Sequence, residues 1–156
     1  MTAEPIQPYL EPVRKSVRVP KPVNEAFELF TAGLGRWWPL ASHSVGQERA
    51  RTCAIEPRLG GEVYEVRDDG ERCPWGRILA WEPPRRFVMT WHPGRNPDSG
   101  QELEVRFIAE PAGTRVELEH RGWQKLGAEA KETRESYDSD RGWKTALGRY
   151  VEACLP

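Results

Sequence analysis

The sequence predicts one α+β domain in which a long C-terminal helix covers an antiparallel sheet of about seven strands. Three observations carry this. Short segments in which apolar and polar residues alternate recur along the chain, the two-residue period of strands with one wet face. Gly, Pro and Asp clusters separate them about every ten residues, which suits hairpins rather than helical crossovers. Last, Trp143, Leu147, Tyr150, Val151 and Cys154 recur at helical spacing, a stripe that needs a surface to cover.

Residues 1–12 contain Pro5, Pro8 and Pro12 and read as a flexible lead-in to a domain spanning 13–156. Val13, Val17 and Val19 alternate with Arg14, Ser16 and Arg18 as a first strand that Pro20 stops. Pro22 suits the first turn of a helix carrying Val23, Ala26, Phe27 and Phe30 on one stripe. Trp37 and Trp38 are adjacent and cannot share a face, so one enters the core while the other covers a pocket mouth or packs across the first helix. Residues 42–51 are polar and read as a loop.

Six strands are then predicted over 51–58, 62–67, 75–81, 86–92, 102–109 and 115–120. Gly60-Gly61, Asp68-Asp69-Gly70, Glu82-Pro83-Pro84, the 93–100 loop and Pro111-Ala112-Gly113 divide them. Residues 124–135 are rich in helix formers but weak in apolar periodicity, and read as a short helix or an ordered excursion. The closing helix spans 140–155, with Asp138, Ser139 or Asp140 as its N-cap. At 1.5 Å per residue it is roughly 24 Å long.

Composition excludes several functions. The 156 residues carry 23 basic and 24 acidic side chains, a net charge of -1, with the signs interspersed, so no nucleic-acid surface is expected. No apolar run reaches membrane length, and the N-terminus lacks the pattern of a signal peptide, which makes a cytoplasmic location the expectation. Cys53, Cys73 and Cys154 form no C-x-x-C pair and read as small buried hydrophobes. With three separated histidines and no H-E-x-x-H, no metal or cofactor is predicted. Neither a G-x-S-x-G elbow nor a P-loop is present. Glu102, Glu104, Glu117 and Glu119 fall on the wet parity of their strands and read as surface.

The stretch Val23-x-x-Ala26-Phe27, then Trp37-Trp38, Gly60-Gly61, Gly76-Arg77-Ile78-Leu79, Glu82-Pro83-Pro84-Arg85-Arg86, Phe87-Val88-Met89-Thr90-Trp91, Val116-Glu117-Leu118, Gly122-Trp123 and Gly142-Trp143-x-x-x-Leu147 resembles the START-like helix-grip (SRPBCC) superfamily. Within it the chain is most similar to the branch of the C-terminal domain of the activator of Hsp90 ATPase. The resemblance covers residues 13–155 and implies a curved sheet gripping the last helix, often with a cavity between them. It includes binders of lipids, hormones and polyketides as well as some enzymes, so it implies fold more firmly than activity.

Strand parity nominates the residues facing that junction. Phe87, Met89 and Trp91 share one side of their strand, as do Leu103, Val105 and Phe107, and Val116, Leu118 and His120; Trp143, Leu147, Tyr150 and Val151 oppose them, with Phe27 and Phe30 at one end. These rings either fill the core solid or frame an apolar pocket. The candidate ligand-binding residues are Phe27, Trp37, Trp38, Met89, Trp91, Phe107, His120, Trp143 and Leu147. His120 reads as a buried hydrogen-bonded residue or as the group that orients a ligand. His43 reads as a loop residue or a contact at the ligand entrance, and His92 as exposed. The expected function is non-catalytic binding of an apolar or aromatic small molecule between sheet and helix, by a monomer or homodimer. The alternatives are an enzyme acting on a hydrophobic substrate in the same cavity and a protein-interaction or stress-related module.

Overall fold

The computed structural model describes residues 9–156; the part of the expected lead-in before Tyr9 lies outside them. Strand β1 (Val13–Val19) leads into helix α1 (Val23–Thr31) and a single turn, α2 (Leu34–Trp37). Strands β2 (Ala50–Ile55), β3 (Glu62–Arg67), β4 (Arg72–Glu82), β5 (Arg86–Trp91), β6 (Gln101–Glu110) and β7 (Gly113–Arg121) follow. A 3-10 segment (Trp123–Glu129), helix α3 (Ala130–Asp138) and helix α4 (Trp143–Cys154) complete the chain. The sheet is curved and antiparallel, in the order β1-β7-β6-β5-β4-β3-β2, and wraps around α4 as the helix-grip resemblance implies.

Register explains the single core. Val13 pairs with His120, His120 with Leu103 and Leu103 with Met89, while Val17, Val116 and Phe107 form a parallel row. Side chains in such rows share a face, and nearly all of these are buried. Helix α1 buries Ala26, Phe27 and Phe30, and α4 buries Trp143, Ala146, Leu147, Tyr150 and Cys154. The Tyr150 hydroxyl donates to the Ala26 carbonyl at 2.7 Å and locks the two helices together.

Several local expectations need correction. Strand β4 begins at Arg72 rather than near Trp75. Pro74 is tolerated because it sits beside a register shift, where β4 pairs with β3 alone. Gly76 then lies so close to β5 that a Cβ there would stand 1.7 Å from the Thr90 carbonyl oxygen. Helix α4 starts at Trp143 with Gly142 as its N-cap and no side-chain cap. Here the chain doubles back tightly: a Cβ on Gly142 would lie 2.1 Å from the Tyr137 carbonyl oxygen, so none of the expected caps, Asp138, Ser139 or Asp140, holds the N-cap position.

Three polar or sulfur-bearing residues also differ from expectation. His92 is buried, because the 93–100 loop folds back over it through an Arg95 amide bond to the His92 carbonyl. Glu104 is buried beneath Arg86, Arg106 and Arg121, which all donate to it. Cys53 and Cys154 are buried as expected, but Cys73 is only half-buried.

A tryptophan-floored cavity at the end of the sheet

The junction between sheet and α4 is almost solid. The space enclosed by Phe30, Leu34, Trp38, Phe87, Met89, Leu103 and Trp143 amounts to about 20 Å³, room for about one water molecule and no organic ligand. The larger space lies at one end of the sheet: about 670 Å³ bounded by Trp38, Trp75, Trp91 and Trp143, the 42–45 loop, Pro93-Gly94, Ser136 and Tyr137 at the end of α3, and Arg141 in the α3–α4 turn. That size is typical of a small-molecule site.

Its floor is a cluster of four indoles. Ring centroids stand 5.2 Å apart for Trp38–Trp75, 5.8 Å for Trp75–Trp91, 5.0 Å for Trp91–Trp143 and 5.8 Å for Trp38–Trp143. Each indole N–H is already used. Trp38 donates to the His43 carbonyl at 2.8 Å, Trp75 to Glu65 at 2.7 Å, Trp91 to the Tyr137 hydroxyl at 2.9 Å, and Trp143 to His120 Nδ1 at 3.0 Å. With their polar atoms turned to protein partners, the rings offer the cavity carbon surface.

The wall formed by the 38–46 segment is pinned from below. Fully buried Glu65 accepts the amides of Val45 at 2.7 Å and Gly46 at 2.8 Å as well as the Trp75 indole. Three donors offset the cost of burying this carboxylate. Across the mouth, His43 Nε2 stands 2.7 Å from the Arg141 carbonyl oxygen. A carbonyl only accepts, so Nε2 carries the proton, and Nδ1 takes the Ser42 hydroxyl at 2.6 Å. This bond ties the loop to the α3–α4 turn.

Of the nine candidates, Trp38, Trp91 and Trp143 border the cavity. Trp37 and Trp38 are both buried, and of the two Trp38 also borders the cavity. Phe27, Trp37, Met89, Phe107 and Leu147 are packed in the core. His120 is fully buried: Nδ1 accepts from Trp143, Nε2 faces Gln101 Oε1 at 3.1 Å, and its ring stacks on Trp123 with centroids 4.0 Å apart. Burial pushes its pKa down to about 3, so the ring is neutral and both nitrogens are engaged within the protein. His43 does reach the cavity.

Sequence reasoning passed over Trp75, Tyr137, Glu65 and Arg141. Trp75 stands at an expected strand end, Tyr137 falls between the two expected helical stretches, and Arg141 lies at the start of the expected closing helix, off its apolar stripe. Glu65 carries no local sign of burial, since its donors come from a loop about 20 residues away.

Comparison with known proteins agrees with this architecture. The family model for activator of Hsp90 ATPase homolog 1-like proteins matches residues 20–155, while no curated protein matches the chain. Among solved structures, the anthrahydroquino-gamma-pyrone synthase Txn09, determined in a complex, is 37% identical over 92% of this chain and 97% of its own, with a TM-score of 0.64. The self-sacrificing resistance protein CalC from Micromonospora echinospora is 27% identical, covering 92% and 94% of the two chains, with a TM-score of 0.65. The Aha1 dimer from Colwellia psychrerythraea, at 15% identity, 93% and 96% coverage and a TM-score of 0.63, shares the fold. Among the described residues no helix is long and apolar enough to cross a membrane.

Proposed function

Since this chain belongs to the activator of Hsp90 ATPase homolog 1-like family, whose helix-grip fold suits a hydrophobic-ligand cavity, we propose that it binds an aromatic or apolar small molecule in the space above the four tryptophans. The observation that carries this reading is the combination of a 670 Å³ cavity with a floor whose indole N–H groups are all satisfied internally. Such a surface gains more from contact with a flat apolar ring than from contact with water. Burying about 200 Å² of apolar area contributes near 5 kcal/mol before ordering costs are subtracted. Trp38, Trp75, Trp91 and Trp143 make the contacts, and Phe27, Trp37, Met89, Phe107, His120 and Leu147 form the packed frame behind them.

A panel of polycyclic ligands titrated against tryptophan emission, with calorimetry for stoichiometry, tests the proposal. Saturable one-to-one quenching at micromolar ligand is the expected result; no saturable binding across the panel, together with no co-purified mass in native mass spectrometry, would overturn it.

A second reading, an enzyme acting on a hydrophobic substrate in this cavity, is favoured by the 37% identity to a synthase. Turnover of a bound aromatic compound that is lost in a Tyr137→Phe or His43→Gln variant would select it over simple binding.

A further inference from the structure

The indole floor gives a ligand no orientation, because its polar atoms are spent. Orientation therefore falls to the rim. Most polar side chains there are also engaged: the Ser44 hydroxyl donates to the Leu40 carbonyl, Thr145 to the Asp140 carbonyl, and Ser42 and His43 bond to one another. Tyr137 differs. Its oxygen accepts the Trp91 N–H at 2.9 Å, which fixes the position of the phenol, yet its own O–H has no acceptor among the described residues. Burial raises the phenol's pKa, so the proton stays in place as a donor. Arg141 also borders the cavity, and its exposed guanidinium has no carboxylate within 4.0 Å and no hydrogen-bond acceptor among the described residues, although most arginines of this chain are paired. The Ser136 hydroxyl is also without a protein partner among the described residues, but its side chain is exposed to water.

From this pattern of spent and unspent donors we infer that the cavity selects oxygenated, anionic aromatics: Tyr137 donates to a ring carbonyl or phenolic oxygen held over the indoles, and Arg141 meets a carboxylate or comparable anion at the mouth. The inference rests on the cavity being the ligand site, and it names the chemistry that site prefers. Tyr137 is placed for this by the close Gly142 approach, which holds the end of α3 against the start of α4. The carbonyl of Arg141 is held by His43, so its backbone is fixed while its side chain remains free to reach a ligand. An unpaired donor at an apolar surface discriminates strongly, because a ligand lacking the acceptor leaves it unsatisfied on closure.

Three probes separate the two contacts. Anthraquinone carboxylate carries both groups, anthracene carboxylate lacks the ring carbonyls, and anthraquinone carboxamide lacks the charge. The wild-type protein is expected to bind the first about tenfold more tightly than either of the others. Tyr137→Phe should abolish the preference for ring carbonyls and leave the preference for charge; Arg141→Gln should do the reverse, and Arg141→Lys should restore part of it, with the charge preference shrinking as salt rises. Tyr137→Phe leaves the Trp91 N–H without an acceptor, so thermal melts of each variant confirm folding, and Arg141→Gln, at an exposed position, provides an independent arm. Equal wild-type affinity for all three probes, or preferences unchanged by both substitutions, would overturn the inference while leaving the cavity as a binding site. Failure of every probe to bind would overturn both.

Discussion

The indole N–H of Trp143 donates to Nδ1 of His120 at 3.0 Å, and this bond joins the closing helix to strand β7 of the sheet. Because Nε2 of the same ring is engaged with Gln101, His120 is the middle member of a buried chain running from β6 through β7 to α4. It is fully buried and is not among the residues that line the cavity.

Replacing His120 with phenylalanine keeps most of the volume but strands the Trp143 N–H and the Gln101 amide. Each unsatisfied group costs about 1–3 kcal/mol, so urea unfolding should register a loss of about 2–6 kcal/mol. Ligand preference within the proposed cavity should change little. A variant as stable as the wild type but altered in selectivity would return His120 to the role of ligand contact.

The same residue sets a pH dependence. Its pKa falls from 6.5 unfolded to about 3 in the fold because burial disfavours the imidazolium, so below pH 6.5 the unfolded chain takes up a proton that the native state refuses. Stability is therefore full above about pH 6.5 and is lost as pH falls towards 3, by on the order of 4 kcal/mol. Denaturant midpoints measured across that range should decline in the wild type and decline less in His120→Phe.

Most of the fold was legible because its determinants are local. Val116, Leu118 and His120 must share a face whatever the strand pairs with, and the stripe from Trp143 to Cys154 announces its own burial. The cavity was less legible, because its walls depend on where a turn lands. Gly142 brings Tyr137 and Arg141 to the rim through a close backbone approach, and periodicity contains no sign of it. Glu104 shows the converse: parity placed it on the outer face, but three arginines contributed by β5, β6 and β7 cover it. His92 was misjudged for a similar reason, since a loop that folds back is invisible to strand parity.

Glu104 supplies a second acid-sensitive element. Burial alone would raise its pKa, but hydrogen bonds from Arg106, Arg121 and Arg86 outweigh it and hold the carboxyl at about 2. A depressed carboxylate contributes stability above about pH 4.5 and loses it as pH falls towards 2. Glu104→Gln should leave the arginines mutually repelling and cost about 2 kcal/mol at neutral pH, while flattening the stability profile below pH 4.5. An unchanged low-pH profile would show that the cluster is no more than screened surface charge.

Glu65 is the anchor of the cavity wall. In Glu65→Gln one amide nitrogen replaces an acceptor oxygen, so at least one of the Val45, Gly46 and Trp75 N–H groups faces a donor. The expected outcome is a loss of about 2–3 kcal/mol, with faster hydrogen exchange confined to the 42–46 loop and weaker binding of aromatic ligands. Exchange that remained slow in that loop would mean that the His43 bond to Arg141 suffices to hold it.

Trp143 separates the cavity from the packed interior, and its removal tests how the two spaces relate. The side chain is 2% exposed and touches both the 670 Å³ cavity and the small void beneath it. Trp143→Ala should cost about 3–5 kcal/mol, since the surrounding Trp38, Trp91 and Tyr137 rings belong to separate elements and cannot all collapse inward. It also frees Nδ1 of His120, turning a neutral, saturated histidine into a polar acceptor at the floor of a deeper cavity. If the variant remains folded, it should admit ligands too bulky for the wild type and favour those that present a hydrogen-bond donor to the new floor. Trp143→Phe fills most of the space but cannot donate to His120, so it separates the packing contribution from the hydrogen bond. A loss below about 1 kcal/mol in the alanine variant would require the helix to settle onto the sheet, and the cavity would then shrink rather than deepen.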